Sequence, residues 1–281
     1  MSSNMDYVRI TVLVENTASA ELVAEHGLSC WIEPPQSRIL FDTGQGPALA
    51  QNAEQLHIPL ETAAAIVLSH GHYDHTGGLP YALGRAPQAR LFLHPASLSA
   101  RYSRHKDGAI HSIGMPEKAA AAVRDIRRQV VWTMPSTSII PGCFVTGTLP
   151  RRNNIEDTGG DFFLDEAGTR IDSIEDDQAI WFETAQGLVV LLGCAHSGAI
   201  NTLDRISELS GRAEFYAVIG GMHLGRASTA RLEATAQALE RYNAHVVAPA
   251  HCTGPAATEF LKQRLPGRVR DARAGSVFEF N

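Results

Sequence analysis

The sequence contains few cysteines, and their spacing matches neither a disulfide framework nor a structural zinc site. Cys30, Cys143, Cys194 and Cys252 are scattered along the chain, and no two of them form a C-x-x-C pair. Widely separated cysteines of this kind are typical of reduced thiols in an intracellular protein. We therefore expect no disulfide to contribute to the fold.

A long apolar segment is also absent. A membrane-spanning helix needs about 18 or more consecutive apolar residues, and no such run occurs. Residues 1–6 are polar, and the first apolar stretch, 8–14, is interrupted by Arg9 and Thr11. The amino-terminal segment therefore lacks the hydrophobic region of a signal peptide. These features predict a cytoplasmic protein with no membrane partner.

Positive charge is not in excess. The 281 residues include 24 Lys and Arg against 30 Asp and Glu, which gives a formal net charge of -6. A broad electrostatic contact with nucleic acid needs the opposite balance, so we expect a small-molecule substrate and no nucleic-acid partner. The content of 44% hydrophobic and 19% charged residues is ordinary for a globular protein with a sizeable core.

The most informative segment is a histidine-rich stretch. Three imidazoles and a carboxylate lie within six residues, at His70, His72, Asp74 and His75. They follow the apolar run 65–68, which is short and partly β-branched and therefore predicts a buried strand. Imidazole nitrogens and carboxylate oxygens are ligands of zinc and similar ions. His70 and His72 would point to one side of an extended backbone and hold one ion, whereas Asp74 and His75 would turn toward a second.

Three apolar segments in the last third of the chain each end in a histidine within four residues. These histidines are His196, His223 and His251. Because a sheet gathers its strand ends along one edge, where α/β proteins place their sites, we expect the three to lie together. His223 alone would be an ordinary loop histidine. Cys194 could face the site with His196 or be a small buried hydrophobic residue.

Asp42 and a basic cluster are further candidates. Asp42 ends the predicted strand 37–41; alone it would be a turn residue, but beside the histidine motif it predicts a carboxylate that hydrogen-bonds a metal-bound histidine. The segment 99–116 has no clean periodicity and predicts an excursion from the core. It contains a cluster that would suit a substrate phosphate or carboxylate and would equally suit a solvated surface loop. The cluster comprises Arg101, Tyr102, Arg104, His105 and Lys106.

Two other segments carry structural expectations. Residues 19–26 predict a short helix closed by Gly27. The acidic stretch 172–177 could be mistaken for a cation site, but it predicts a solvated turn between strands.

The motifs together resemble the metallo-β-lactamase-fold superfamily. The resemblance rests on His-x-His-x-Asp-His at 70–75, Phe-Asp-Thr-Gly at 41–44 and Pro-Ala-His at 249–251. Members of that superfamily are mostly dinuclear metal-dependent hydrolases. The resemblance implies a four-layer αβ/βα sandwich of two mixed β-sheets, formed by one domain over residues 1–281, with the metals at one edge.

The resemblance also sorts the ligands. It implies that His70, His72 and a third group hold one ion. It implies that Asp74, His75 and His251 hold the other.

The sequence departs from the family at the bridging ligand, which is usually an Asp following a Gly at a strand end. The matching segment reads Gly-Cys-Ala-His at 193–196. Cys194 and His196 are therefore candidates to complete the metal centre, and a thiolate would change the preferred metal. We expect one or two Zn ions, with Mn or Fe as alternatives, and we predict catalytic roles for Asp74, His196 and His223.

Further motifs, distributed over nearly the whole chain, are similar to one branch of the superfamily, the 7,8-dihydropterin-6-methyl-4-(ribofuranosyl)aminobenzene-5′-phosphate synthase-like proteins. The motifs lie at 12–16, 25–28, 68–79, 193–198, 219–221 and 249–254. The resemblance implies an enzyme that acts on a small phosphorylated or heterocyclic compound by hydrolysis or by synthase-like transfer. A lactonase, a phosphodiesterase and a metal-containing binding protein without turnover are the alternatives.

Overall fold

The computed structural model describes residues 5–105, 107–126 and 128–281, which form sixteen strands and seven α-helices. The strands are β1 (Val8–Val14), β2 (Ser29–Glu33), β3 (Ile39–Phe41), β4 (Ala65–Val67), β5 (Arg90–Leu93), β6 (Tyr102–Arg104), β7 (Ile110–Ser112), β8 (Val130–Trp132), β9 (Thr137–Ile140), β10 (Cys143–Val145), β11 (Phe162–Phe163), β12 (Ala179–Thr184), β13 (Gly187–Leu192), β14 (Phe215–Gly221), β15 (Val246–Ala250) and β16 (Val277–Phe280). The helices are α1 (Pro47–Gln55), α2 (Tyr73–Thr76), α3 (Leu79–Arg85), α4 (Glu117–Asp125), α5 (Ala199–Ser210), α6 (Thr229–Arg241) and α7 (Pro255–Arg264).

Two large mixed sheets form the centre of the molecule. The strand order of the first is β16-β1-β2-β3-β4-β5-β8, and that of the second is β15-β14-β13-β12-β10-β9. In the first sheet β3, β4, β5 and β8 run parallel to one another, and in the second β13, β14 and β15 do so. The remaining neighbours are antiparallel. Each sheet therefore has one parallel half and one antiparallel half.

The central strands of both sheets are buried on both faces. In β13, Val189 and Leu191 lie in the core between the two sheets, whereas Val190 and Leu192 pack with α5, α6 and α7 on the outer face. The outer face of the other sheet packs against α1, α3 and α4. This burial explains why 187–192 is an uninterrupted apolar run rather than an alternating one. The predicted four-layer αβ/βα sandwich is confirmed. In the part of the chain that the structure describes, no helix combines the length and apolar character needed to cross a membrane.

The chain turns sharply where strands of both sheets end at one edge. Asp42, Ala195, His223 and His251 all have positive φ values, of 56°, 54°, 47° and 51°. Such a backbone is uncommon for residues other than glycine, and it persists only where the surrounding structure holds it. Four bends of this kind, each within three residues of a strand end, place the following side chains over one edge of the sandwich.

A third sheet, which the sequence did not predict, consists of β11, β6 and β7. Its strands β6 and β7 lie within the excursion 99–116, and Arg101 ties this part of the chain to the sandwich. The Arg101 side chain is 1% exposed; its Nη2 donates to Asp176 Oδ1 at 2.5 Å, and its Nη1 lies 3.3 Å from Asp172 Oδ2. The excursion is thus anchored by a buried ion pair.

The expectation of a solvated turn at 172–177 was wrong. Asp172, Asp176 and Asp177 are buried, with at most 3% of each residue exposed. Asp176 Oδ2 also accepts from the Gly71 N–H at 2.7 Å, and Asp177 Oδ2 accepts from the Ser197 N–H at 2.6 Å. The charge pattern resembled a surface turn because the partners of these carboxylates are distant in sequence.

The predicted helix at 19–26 does not form; the segment consists of turns and extended residues. The Glu25 carboxylate instead accepts hydrogen bonds from the N–H groups of Gln45 and Ala48, at 2.7 and 3.1 Å. It thereby caps the amino terminus of α1, where free N–H groups favour a negative charge. The hydrogen bonds of this long-range cap outweigh the modest helical propensity of residues 19–26, so no helix forms there.

We predict that Arg101→Ala destabilises the protein by roughly 3–5 kcal/mol, because it leaves buried carboxylates without their cation. Chemical denaturation monitored by circular dichroism would measure the change. Arg152→Ala is the control, because the Arg152–Glu208 pair is exposed, at 49% and 42%, and its loss should barely move the midpoint. Equal losses in the two variants would contradict the anchoring role of Arg101.

Candidate metal centre

The buried carboxylate of Asp42 organises the histidine-rich loop. Its Oδ1 accepts from the Ser69 N–H, and its Oδ2 accepts from the Ser69 hydroxyl and from His75 Nδ1, each at 2.7 Å. The Ser69 Oγ in turn accepts from His70 Nδ1 at 2.9 Å. Two histidines are therefore oriented by one carboxylate, His75 directly and His70 through Ser69. Because each ring donates through Nδ1, its Nε2 is left as a ligand atom.

The glycine of the Gly-Cys-Ala-His segment is required by this network. A Cβ atom at Gly193 would lie 2.1 Å from Ser69 Oγ and 3.4 Å from Asp42 Oδ2. No side chain fits at that distance, so only glycine lets the end of β13 approach Asp42. Cys194, the next residue, is thereby brought over the histidines.

The first group of candidate ligands contains His70, His72, Cys194 and His196. His70 Nε2 lies 2.9 Å from His72 Nδ1, and ligand atoms of His70, Cys194 and His196 all lie within 4.8 Å of one another. His196 Nδ1 donates to the Thr158 carbonyl at 2.8 Å. The Nε2 atoms of His196 and His72 are buried without a hydrogen-bond partner among the described residues. Burial and the neighbouring rings hold the pKa values of His70 and His196 well below normal, so both rings are neutral, as ligation requires.

The second group contains Asp74, His75, Cys194 and His251. His75 Nε2 lies 3.3 Å from His251 Nε2 and 3.2 Å from Cys194 Sγ. Asp74 Oδ2 lies 3.2 Å from His251 Nε2. His251 Nδ1 donates to Asn16 Oδ1 at 2.9 Å, which leaves its Nε2 facing the group. The carboxy-terminal histidine and the histidine-rich loop thus meet across the two sheets.

Cys194 belongs to both groups: its Sγ lies within 4.8 Å of ligand atoms of His70 and His196, and of His75 and His251. It lies between the two groups, where a residue shared by two ions would have to be. The closely spaced imidazole nitrogens and the partnerless Nε2 atom of His196 fit divalent cations, because a cation satisfies several lone pairs at once. The residues present therefore fit the metal ions implied by the sequence.

The charges in the centre also favour a cation. Burial lowers the pKa of His75, but the carboxylates of Asp42 and Asp74 outweigh it and raise the pKa to about 9. The same negative charges would stabilise a metal ion at His75 Nε2.

His26 is a site residue that the sequence analysis missed. Its Nε2 lies 3.1 Å from Asp74 Oδ2, and its ring centre lies 4.9 Å from that of His251. The hydrogen bond to Asp74 raises the pKa of His26. The only signal in the sequence was its place in the motif at 25–28, because the loop before β2 carries no metal-ligand spacing of its own.

A cavity of about 710 Å³ lies beside the metal centre. A smaller cleft of about 160 Å³ leads over the candidate ligands. The cavity and the cleft share the five lining residues Ser103, His105, Phe162, His223 and Cys252. A small molecule in the cavity would therefore reach the metal centre directly.

The predicted substrate residues do not share one environment. Arg104 and His105 are exposed and line the cavity. Arg101 is buried against Asp172 and Asp176, so the expectation that it contacts a substrate is corrected. Tyr102 lines neither the cavity nor the cleft and lies with its hydroxyl 3.3 Å from Glu166, and Lys106 lies outside the described residues.

His223 lies in the wall between the cavity and the cleft. The loop opposite it contains Gly159, where a Cβ atom would lie 1.7 Å from His223 Cδ2. Burial lowers the pKa of His223, but the neighbouring Cys252 outweighs this effect and raises it. The structure therefore places His223 in the cavity wall beside the candidate metal ligands, and its catalytic role stays a prediction.

A model of the metallo-beta-lactamase superfamily matches residues 24–251 of this chain. The chain belongs to that superfamily. The match covers the histidine-rich loop, the Gly-Cys-Ala-His segment and His251, and thus all of the candidate metal ligands.

Relatives cover nearly the whole chain. A Methanocaldococcus jannaschii protein named 7,8-dihydropterin-6-methyl-4-(beta-D-ribofuranosyl)-aminobenzene-5′-phosphate synthase is 26% identical, over 98% of each chain. An uncharacterized protein of the same organism is 31% identical, over 90% of this chain and 94% of its own. A crystal structure of a metal-dependent hydrolase of the beta-lactamase superfamily is 30% identical and superposes with a TM-score of 0.81, over 96% of this chain and 98% of the other.

We predict that Asp42→Asn weakens metal binding by about 10–100-fold, because the carboxylate orients two ligand rings and supplies negative charge. Competition with a chromophoric chelator would measure the dissociation constant. Asp6→Asn, at an exposed position, is the control. Unchanged affinity in Asp42→Asn would contradict the network.

For the unsubstituted protein, we predict that metal affinity rises with pH up to about 9, because the ion must displace the His75 proton. The same chelator competition, repeated over a series of pH values, would measure this dependence.

Proposed function

We propose that the protein is a metal-dependent enzyme that acts on a small, anionic, ring-containing compound at the edge of the sandwich. One observation carries the proposal: two groups of imidazole-rich ligands converge on Cys194 and open onto a cavity of about 710 Å³. A cluster of ligands beside a cavity of this size is the arrangement expected of an active site.

The proposal assigns the ligand atoms to two cations that share Cys194. One would be held by His70 Nε2, His72 Nδ1 and His196 Nε2, and the other by Asp74, His75 Nε2 and His251 Nε2. When bound, such cations lower the pKa of water toward neutrality and polarise a carbonyl or phosphoryl oxygen. The His196 ring is a ligand in this arrangement rather than a proton donor, because its Nδ1 is engaged by the Thr158 carbonyl. Zn is the first expectation, with Mn or Fe as alternatives.

Asp74 and His223 would handle protons. Burial raises the pKa of Asp74, but the surrounding His75, His251 and His26 outweigh it and hold the pKa well below normal. Asp74 is therefore a carboxylate that can accept a hydrogen bond from a nucleophilic water and orient it. His223 lines both the cavity and the cleft and can donate a proton to a leaving group.

The cavity wall suits an anionic, ring-containing substrate. Arg104 and Arg226 both line it and are exposed, and neither forms a salt bridge among the described residues, although Asp107 and Asp161 also line the cavity. Unpaired guanidinium groups favour a phosphate or carboxylate. Phe162 lies between the cavity and the metal centre, with its ring centre 5.2 Å from that of His196, and can stack on a heterocycle. Arg226 is an addition to the residues predicted from the sequence.

Two reactions fit this site. Hydrolysis is supported by the similarity to a metal-dependent hydrolase of the superfamily. A synthase-like transfer is supported by 26% identity over nearly the whole length of a relative named as a synthase of a pterin ribose 5′-phosphate compound. In both reactions the proposed roles of the metal ligands and of the cavity are the same.

We predict that His72→Ala loses most bound metal and all activity while the protein stays folded, because the His72 ring contributes a ligand atom and packs mainly against the site residues His70, His196 and Phe162. Metal content would be measured by elemental analysis. Activity would be measured against generic esters, lactones and bis-phosphoesters, with and without chelator. His245→Ala, at an exposed position, is the control. Unchanged metal content in His72→Ala would refute the ligand assignment.

The same assays separate the two reactions. Chelator-sensitive hydrolysis of any generic substrate supports the hydrolase. Metal without hydrolysis, but with product formed from a dihydropterin and an arylamine ribose 5′-phosphate, supports the transfer. Metal without turnover in either assay would favour a binding protein over an enzyme.

We predict that Arg226→Ala and Arg104→Ala each raise KM for a phosphorylated substrate by about 10–100-fold, the effect of losing a charge-assisted hydrogen bond of roughly 1.5–3 kcal/mol. The value of kcat should change little, because a phosphate held at this part of the cavity wall would lie away from the bond that reacts at the metal centre. The dephosphorylated analogue should bind equally to all variants, and Arg85→Ala, on α3, is the control. A loss of kcat with unchanged KM would contradict a binding role.

A further inference from the structure

We infer that Cys194, His223 and Cys252 form a third cation site, selective for a soft, thiophilic ion and adjacent to the two imidazole-rich groups. The Sγ atoms of both cysteines and a ring nitrogen of His223 all lie within 4.8 Å of one another. The inference does not depend on the reaction proposed above. It shares only Cys194 with the proposed metal centre.

The spacing of the three ligand atoms fits a single ion. Zinc binds sulfur at about 2.3 Å and nitrogen at about 2.0–2.1 Å, so three ligand atoms around one ion lie roughly 3.5–4.0 Å from one another. The observed separations are at most 4.8 Å, so binding an ion needs movements of up to about 1 Å. Rotation of the Cys252 side chain about its Cα–Cβ bond can supply a movement of that size.

The backbone leaves room for the second sulfur. Cys252 Sγ lies 3.6 Å from the Cys194 carbonyl oxygen, to which it donates. A Cβ atom at Gly221 would lie 2.7 Å from Cys252 Sγ and 3.2 Å from Cys194 Cα. Glycine at the end of β14 therefore opens the space in which the two thiols meet. Cys252 follows His251 in the chain. The left-handed backbone at His251 turns the chain so that the Cys252 side chain points toward this space.

His223 supplies the third ligand and lies where an ion would enter the site from the cavity. Its Nδ1 is buried and has no hydrogen-bond partner among the described residues. His223 and Cys252 are both partly exposed and line the cavity as well as the cleft, whereas Cys194 is buried beneath them. An ion entering from the cavity would therefore meet His223 and Cys252 before it reached Cys194.

The donor set determines which ion binds. Two thiolates and one imidazole select soft ions such as Cd²⁺, Cu⁺ or Zn²⁺, whereas the imidazole and carboxylate groups next to them also accept harder ions such as Mn²⁺. Because Cys194 is common to all three groups, a soft ion held by Cys252 would draw the thiolate away from its shared position. The site thus gives soft cations a specific means of disabling the metal centre.

Cadmium titration of the reduced, metal-free protein tests the inference, with the sulfur-to-cadmium charge-transfer absorption as the readout. Cys252→Ser should lower the absorption at saturation to about half, since one of two thiolates is lost. Cys143→Ala should leave it unchanged, because Cys143 is buried between the sheets. An absorption in Cys252→Ser equal to that of the unsubstituted protein would overturn the site.

Alkylation of the unsubstituted protein gives a second readout that needs no variant. Iodoacetamide labelling with peptide mapping should modify Cys252 in the metal-free protein and in the presence of Mn²⁺, but not in the presence of Cd²⁺. Modification of Cys252 at the same rate with Cd²⁺ would also overturn the inference. Failure of the proposed function is distinguishable, because a protein without Mn²⁺ binding or turnover would still show the cadmium absorption and the protection of Cys252.

Discussion

The buried carboxylate of Asp42 is the interaction on which the site depends. It has no solvent exposure, and a buried charge persists only when hydrogen bonds replace its lost hydration. Ser69 and His75 provide those hydrogen bonds, so the loop after β4 must pack against the end of β3. The same network admits only glycine at position 193. One carboxylate thereby sets the position of the histidine-rich loop and the closest approach of the opposite sheet.

Both sheets contribute residues to the site. The first contributes the histidine-rich loop, and the second contributes Cys194, His196, His223 and His251 from the ends of its parallel strands. Left-handed residues at these strand ends turn the chain back over the edge, a local cost that the core between the sheets supports. Charge is concentrated there too, since the buried Asp176 and Asp177 hold the Gly71 and Ser197 backbones. A rigid sandwich with its polar groups at one edge can thus bring together ligand residues as far apart in the sequence as His70 and Cys252.

The elements that sequence analysis recovered are those with local signals. The run 187–192 is a strand because it is apolar on both faces, and the histidine motif at 70–75 has the spacing of metal ligands within a single loop. Interactions between distant residues had no such signal. The helix expected at 19–26 is replaced by a cap on α1, and Arg101, which suited a substrate anion by its composition, is instead neutralised by Asp172 and Asp176. The third sheet was missed for the same reason, since β11 lies far from β6 in sequence.

The sequence by itself determined the kinds of ligand, the apolar strands and membership of a superfamily, because each of these depends on residue type and short spacing. Only the tertiary structure decided that His251 lies 3.3 Å from His75, that Cys194 belongs to both ligand groups, and that His26, Arg226 and Cys252 line the cleft or the cavity beside them. These contacts depend on how two sheets pack and where their loops turn. Whether a charged side chain is accessible to a substrate or forms an ion pair within the protein therefore depends on its burial, not on the local composition.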